Sequence, residues 1–310
     1  MVIRNVYKAT SINYHIKNYL PNLIIFSGYP ESRKNLVALA NLITKKNGVQ
    51  MCVNIEKTSL TPSQKKICLE KGIQWLKNSR IKSLYVVLDN TELDLATRII
   101  YSCGHGQLKP NIAMVGYKFD WLNCPNHDLQ AYLNIFNVSH MNNISTVMVR
   151  VSSTESYDNQ NSLIQDFKHL DKNEDIPCRI KSNQNIRNQQ KLKKMLSLYR
   201  VKFDYFDVIL AKTTSPTLAT TLSYFNSLLE HTASKDFGNS NLEKEHISKT
   251  LFLRDSIKLH SINSELIILT APKNNEINLL FMCWIETITR GLPPCLIVNG
   301  CSGPVLAIDA

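Results

Sequence analysis

The residues best placed by type to hold a charged ligand are Ser27, Gly28, Gly104, Gly106 and Lys109. Ser27-Gly28-Tyr29-Pro30-Glu31-Ser32-Arg33 follows an apolar run and precedes a helical pattern. A helix N-terminus behind a parallel strand offers free N–H groups to phosphate, and ligands of parallel sheets dock at the strand ends. Gly104-x-Gly106 with Lys109 would add a close-approaching turn and a cation, which together make a weak nucleotide site. No full dinucleotide glycine pattern and no P-loop is present, so turn geometry accounts for these glycines better than a ligand does. His105, between two glycines, could reach a phosphate, but a tolerated loop histidine is the simpler reading.

Other reactive residue types form no catalytic set. Asp89, Glu92 and Asp94 are the nearest grouping of carboxylates, and a helix N-terminus favours acidic residues without any chemistry. The eight cysteines are Cys52, Cys68, Cys103, Cys124, Cys178, Cys283, Cys295 and Cys301. Most sit inside apolar patterns, where free cysteine packs as a small hydrophobe, and they read as reduced thiols of a cytosolic chain. Cys124-Pro-Asn-His127 has no second pair to complete a zinc site. Asn137-Val-Ser139 and Asn143-Ile-Ser145 fit the glycosylation sequon by chance. No G-x-S-x-G and no Ser/His/Asp or Cys/His arrangement appears. The expectation is therefore no catalytic residue, no metal, no cofactor and no enzyme.

The 310 residues carry 36 Lys and Arg against 25 Asp and Glu, a formal net charge of +11. Such an excess points to an acidic partner, a nucleic acid or an anionic membrane face. The densest cluster, Arg187, Lys191, Lys193, Lys194 and Arg200, falls on a helical pattern and reads as a solvated face, so no nucleic acid is expected. No apolar run approaches the ~18 residues that cross a bilayer. The opening MVIRNVYKATSINY has no apolar segment after its charge and is not a signal peptide. The expectation is a polypeptide that does not itself span a membrane.

The elements that would position these residues alternate. Leu23–Ser27 reads as a strand, and Leu36, Leu39, Ala40 and Ile43 share one helix face. Val49–Ile55 is a second strand. Thr61-Pro62-Ser63-Gln64 is a helix start, with a threonine cap, proline at the first position and glutamine at the third. Leu69, Ile73 and Leu76 mark that helix's apolar face. Leu84–Leu88 is a strand and 92–103 its helix, with Ala96, Ile99, Ile100 and Cys103 inward and Gly104 at the cap. Ile112–Val115, Leu129–Phe136 and Thr146–Val151 then read as strand, helix and strand. Residues 152–176 are polar and aperiodic. A basic helix over 184–199 precedes a strand at Asp204–Leu210 and a helix at Leu218–Leu229; 232–246 is loop. A strand at Leu266–Thr270, the stripe Ile277, Leu280, Phe281, Trp284, Ile285 and Ile288, and a strand at Cys295–Val298 close the chain, with a further short piece at Arg179–Ile180. The stripe is core.

Apolar strands alternating with helices mean an α/β fold of mostly parallel sheets with helices on both faces. The expected layout is two similar lobes, the second incomplete: a linker at 1–14, a first lobe at 15–151, a polar flexible linker at 152–178 and a second, shorter lobe at 179–310. The second lobe offers no opening strand, so an under-protected sheet edge is expected there.

Leu108-Lys109-Pro110-Asn111, an apolar strand, then Gly116-Tyr117-Lys118-x-Asp120-Trp121 resembles the carboxy-terminal cytosolic domain of the cation-chloride cotransporters, in the sodium-potassium-chloride branch. HIKNYLPNLIIFSGYPESRKNLVALANLITKKNG, YLNIFN and CWIETITRGLPPCLIVNG agree in order. The resemblance implies a regulatory module on the cytosolic face of a membrane, packed as a homodimer and coupled to the transmembrane domain of its parent transporter. It implies chloride-coupled cation symport for that parent. The family's ion-binding residues lie in transmembrane helices, and none maps onto this chain. The chain departs from the family pattern where a tryptophan-rich strand normally opens the second lobe, before Ser162, and at Asn299-Gly300-Cys301. Two other readings stand beside this one. A nucleotide-binding protein of the universal-stress type would be protected by nucleotide in a thermal shift, and a basic nucleic-acid binder would show steeply salt-dependent retention.

Overall fold

The computed structural model describes residues 19–44, 48–93, 97–98, 101, 108–151, 178–181, 206–209, 218–232, 250–272 and 277–301. In chain order its elements begin with β1 (Leu23–Phe26), α1 (Lys34–Thr44), β2 (Gln50–Ile55), α2 (Pro62–Asn78), β3 (Leu84–Leu88), β4 (Ile112–Gly116), α3 (Asn126–Met141) and β5 (Ser145–Arg150). They continue with β6 (Cys178–Lys181), β7 (Phe206–Ile209), α4 (Leu218–Thr232), α5 (Leu253–Ser261), β8 (Ile267–Thr270), α6 (Leu279–Thr289) and β9 (Cys295–Asn299).

All four residues of β1 are apolar and buried, which a strand achieves only when both faces of its sheet are covered. It pairs in parallel with β2 and with β4, in the registers Leu23↔Gln50 and Leu23↔Ile112. β3 adds outside β2, and β5 outside β4, again in parallel. The order β3-β2-β1-β4-β5 places a topological switch point between β1 and β4.

The capping signals of α2 are realised: Gln64 N–H donates to Thr61 Oγ1 at 3.3 Å, Thr61 N–H donates to Gln64 Oε1 at 2.9 Å, and Pro62 takes the first position. Its buried face differs from expectation, because Gly72 and Leu76 are buried while Ile73 is 41% exposed. The Tyr85 ring of β3 lies against the helix backbone. A Cβ at Gly72 would sit 2.2 Å from Tyr85 Cε1, so the helix turns its glycine, not its isoleucine, towards the strand. Between β3 and β4, Leu93, Thr97, Arg98 and Tyr101 are helical. Ala96, Ile99, Ile100, Cys103 and Gly104 lie outside the described residues, as do the polar segment 152–176, the basic cluster and the loop from 233.

The expectation that the strands near 266–270 and 295–298 belong to a second lobe's own sheet is overturned. β9 pairs antiparallel with β5, Val147↔Val298, and β8 pairs parallel with β9, giving one seven-stranded sheet in the order β3-β2-β1-β4-β5-β9-β8. The outer edge of β5 needs a partner for its N–H and C=O groups, and β9 satisfies it. The seven strands belong to one compact unit; β6, β7, α4, α5 and α6 belong to another. In that second unit β6 and β7 form a parallel two-stranded sheet. Ten of the eleven residues of α6 are buried, as the apolar stripe requires, and α6 packs against α4 and α5. α5 was not legible as a helix. Its Arg254 donates to the carbonyls of Thr287, Ile288 and Arg290, closing the last turn of α6, where carbonyls lack partners.

Candidate functional site

The register Phe26↔Val115 sets Ser27 beside Gly116, so the residues after β1 and after β4 meet at the switch point. Gly28 has φ +61° and donates its N–H to Val53 O at 3.0 Å. A Cβ there would find space, its nearest neighbour being Asn54 Oδ1 at 3.7 Å, so glycine answers to the left-handed backbone. Ser27 is buried and its hydroxyl donates to Gly28 O at 2.9 Å. Arg33 Nη1 donates to Phe26 O at 2.8 Å, and Tyr132 Oη donates to Gly116 O at 3.0 Å. Burial pushes the Tyr132 phenol well above its ordinary value, with Arg33 pulling the other way.

Beyond Gly116, the Arg150 guanidinium lies 4.5 Å over the Tyr117 ring and 5.9 Å over Phe119, and the two rings meet edge to face at 5.0 Å. Lys118 pairs with Asp120 at 3.1 Å, and Trp121 is buried as an anchor. The cations of this crevice are thus directed at a backbone carbonyl, two aromatic faces and a carboxylate. That is the chemistry of a braced turn.

Lys109 lies elsewhere. It precedes β4 while Ser27 follows β1, and the two strands are parallel, so they stand at opposite ends of the sheet, on the order of 15 Å or more apart by strand rise. Gly104, His105 and Gly106 lie outside the described residues. The structure brings Ser27 and Gly28 together, and it does not bring Lys109 to them.

At the Lys109 end the recognised Lys-Pro-Asn motif builds a different device. Asn22, 4% exposed, accepts from Val49 N–H through Oδ1 at 3.0 Å and donates from Nδ2 to Lys109 O at 3.1 Å. Its own N–H donates to Asn111 Oδ1 at 2.9 Å, while Asn111 Nδ2 donates to Leu20 O at 2.7 Å. Its carbonyl accepts from Asn111 and Ile112 N–H, both at 3.1 Å. Two asparagines thereby tie the entries of β1, β2 and β4. The sequence carried a signal for this pair: Pro21-Asn22 and Pro110-Asn111 both stand directly before an apolar strand.

The remaining candidates are structural. Asp89 accepts Leu60 N–H at 3.1 Å and pairs with Lys65 at 2.5 Å, and the Lys65 hydrogen bond, with that of Leu60, holds its carboxyl below the usual range. It braces the entry of α2. Lys57 does the same for Asp128 at 2.5 Å. Cys124 is buried and its thiol points to Trp121 O at 3.5 Å, while His127 is largely exposed, so the two make no pair. No group of three metal-binding side chains occurs among the described residues. Asn137 is not free for a glycan: its amide donates to Ile277 O at 3.1 Å and accepts Ile277 N–H at 2.8 Å. Burial pushes the thiols of Cys283 and Cys295 up to about 12, which removes them as nucleophiles near neutrality. Sequence reasoning missed Asn22, Arg150 and Arg254, which act through contacts distant in the chain; Arg33, in the stretch after β1, acts on a carbonyl only seven residues back.

The family model described as Solute carrier family 12 matches residues 33–185 and 176–309. A bumetanide-sensitive sodium-(potassium)-chloride cotransporter of Manduca sexta is 30% identical over 144 residues, 46% of this chain and 14% of that protein. Solute carrier family 12 member 1 of Rattus norvegicus is 28% identical over 151 residues, 48% of this chain and 14% of that protein. Solute carrier family 12 member 2 of Mus musculus is 25% identical over 147 residues, 46% of this chain and 12% of that protein. The chain therefore spans about one-seventh of the length of these relatives. Among the described residues, no helix is long and apolar enough to cross a membrane.

Proposed function

The chain belongs to solute carrier family 12, and on that premise we propose that it serves as the cytosolic regulatory domain of a sodium-potassium-chloride cotransporter, packed against its own copy beneath the parent's transmembrane domain. The observation that carries this reading is the match to relatives named as cotransporters over a segment that folds as a mostly parallel α/β sheet. The motif residues support it. Asn22, Asn111, Tyr117 and Trp121 brace the sheet, so the resemblance follows residues that hold the α/β architecture. Two-fold pairing is the common form of self-association, and anchoring to a membrane domain raises local concentration, so a weak contact suffices. Ion selectivity would reside in the parent's membrane-spanning part.

The test replaces the matching segment of the Manduca sexta cotransporter with this chain. The chimera is expected to reach the membrane, cross-link as a dimer and retain chloride-dependent cation uptake. The isolated chain in liposomes is expected to carry no chloride flux, since backbone polar groups cross hydrocarbon only in spanning helices or closed barrels. A chimera that reaches the surface as a monomer with no uptake, or flux from the chain alone, overturns the reading.

A further inference from the structure

β8 and β9 run parallel, so the chain between them must cross back from one end of the sheet to the other. It does so through α6. The two strands belong to the compact unit of the seven-stranded sheet, whereas α6 belongs to the second unit, where it packs against α4 and α5. One unit thus supplies the strands of a crossover and the other supplies its helix. The chain passes between the units at Asn278–Leu279 and returns at Pro293–Pro294.

Both passages are tied down on the sheet side. Before α6, Ile277 donates its N–H to Asn137 Oδ1 at 2.8 Å and accepts from Asn137 Nδ2 through its carbonyl at 3.1 Å. Asn137 lies on α3 and spends a donor and an acceptor on one residue's backbone, as a hydrogen-bonded strand partner does. After α6, Pro294 O accepts from Ile267 N–H and Val298 O from Ala271 N–H, both at 2.9 Å. The helix is gripped equally in its own unit. Trp284 is buried, stacks on Phe281 and donates to Thr250 Oγ1 at 2.7 Å, while Arg254 holds the carbonyls of the last turn. Only Asn278 separates the Ile277 clamp from α6. One residue spans at most about 3.6 Å, so a shift of one helical turn, about 5.4 Å, exceeds the slack and pulls on the clamp.

We propose that α6 is a conformational relay between the two units. Loosening of the second unit's core draws on Ile277 and on β9, releasing Asn137 and weakening the β8–β9 pair. Loss of the Asn137 clamp returns to the second unit through the same helix, since a coupling between two equilibria acts equally in both directions. The relay rests on the connectivity and on these bonds, and it operates whether or not the chain serves a transporter.

The test measures amide exchange on the full chain. Trp284→Ala should accelerate exchange at Ile267, Ala271 and Ile277 by at least about tenfold, while Ile25 of β1 and Cys52 of β2 change by less than about twofold. Trp284→Phe loses the Thr250 bond but keeps a ring. It should show the same order at about threefold, and it serves where the alanine variant does not fold. In the reverse direction, Asn137→Ala should accelerate Ile285 within α6 by at least about threefold, with Asn137→Asp, which keeps the acceptor for Ile277 N–H, in between. The double variant should change Ile267 and Ala271 by less than the product of the single effects, because both act through α6. The proposal is overturned by unchanged exchange at Ile267 and Ala271 in both Trp284 variants, or by equal acceleration at Ile25 and Cys52, which marks global unfolding. It is also overturned by an unaltered Ile285 in Asn137→Ala, or by a double variant whose effects multiply.

Discussion

Replacing Asn22 with alanine should destabilise the sheet by about 2–4 kcal/mol. The substitution removes the side-chain bonds from Val49 N–H at 3.0 Å and to Lys109 O at 3.1 Å. The backbone bonds of Asn22 to Asn111 and Ile112 survive it. Val49 is half-buried, so its N–H loses an acceptor that water replaces poorly, at about 1–3 kcal/mol. Lys109 is exposed, and its carbonyl can turn to water, so that loss is only about 0.5–1.5 kcal/mol. For a body of this size, roughly 2–4 °C of Tm follows each kcal/mol. Because the chain contains two compact units, one global transition is an unsafe readout. Hydrogen exchange of the β1, β2 and β4 amides in rising urea reports the sheet directly. Asn22→Asp keeps an acceptor for Val49 but sets a second acceptor against Lys109 O, so it should fall between wild type and Asn22→Ala. Lys109→Ala spares the carbonyl and should stay within about 0.5 kcal/mol. Unchanged protection in Asn22→Ala, or a Lys109→Ala loss as large, would refute the assignment of this motif to architecture.

Trp284→Ala should cost about 3–5 kcal/mol in the second unit, because the ring is buried, stacks on Phe281 and donates to Thr250 Oγ1 at 2.7 Å. Trp284→Phe should lose only about 1 kcal/mol for the missing bond, and an equal urea midpoint for the two variants would contradict this. The lowered carboxyls of Asp89 and Asp128 stabilise the fold above the ordinary carboxylate pKa, and that contribution is lost as pH falls through their lower folded values, below about pH 4. Asp89→Asn should flatten the acid limb of urea midpoints, and an unaltered limb would count against the Lys65 pairing. The raised thiols of Cys283 and Cys295 should resist a disulfide reagent at pH 8 in the native chain and react on unfolding; rapid native labelling at either would mean the site opens.

What the sequence determined is local. Four apolar residues before Ser27 make a strand buried on both faces, and Thr61-Pro62-Ser63-Gln64 makes the cap that the structure contains. The stripe from Ile277 to Ile288 makes a buried helix, and the parallel α/β class follows from alternation alone. The resemblance carried by Leu108–Trp121 was legible as residues, and the family match bears it out. What tertiary structure decided is which distant pieces meet. Ser27 and Lys109 looked like partners in sequence, but the parallel pairing of β1 and β4 sends them to opposite ends of the sheet. Ile73 looked like core until the Tyr85 ring claimed the space at Gly72. Residues 266–270 and 295–298 looked like strands of a second lobe until β9 paired with the outer edge of β5. Periodicity reports which way a side chain points from its own backbone. A strand's N–H and C=O groups accept any compatible edge, so the choice of neighbour is settled only when the whole chain competes for those edges.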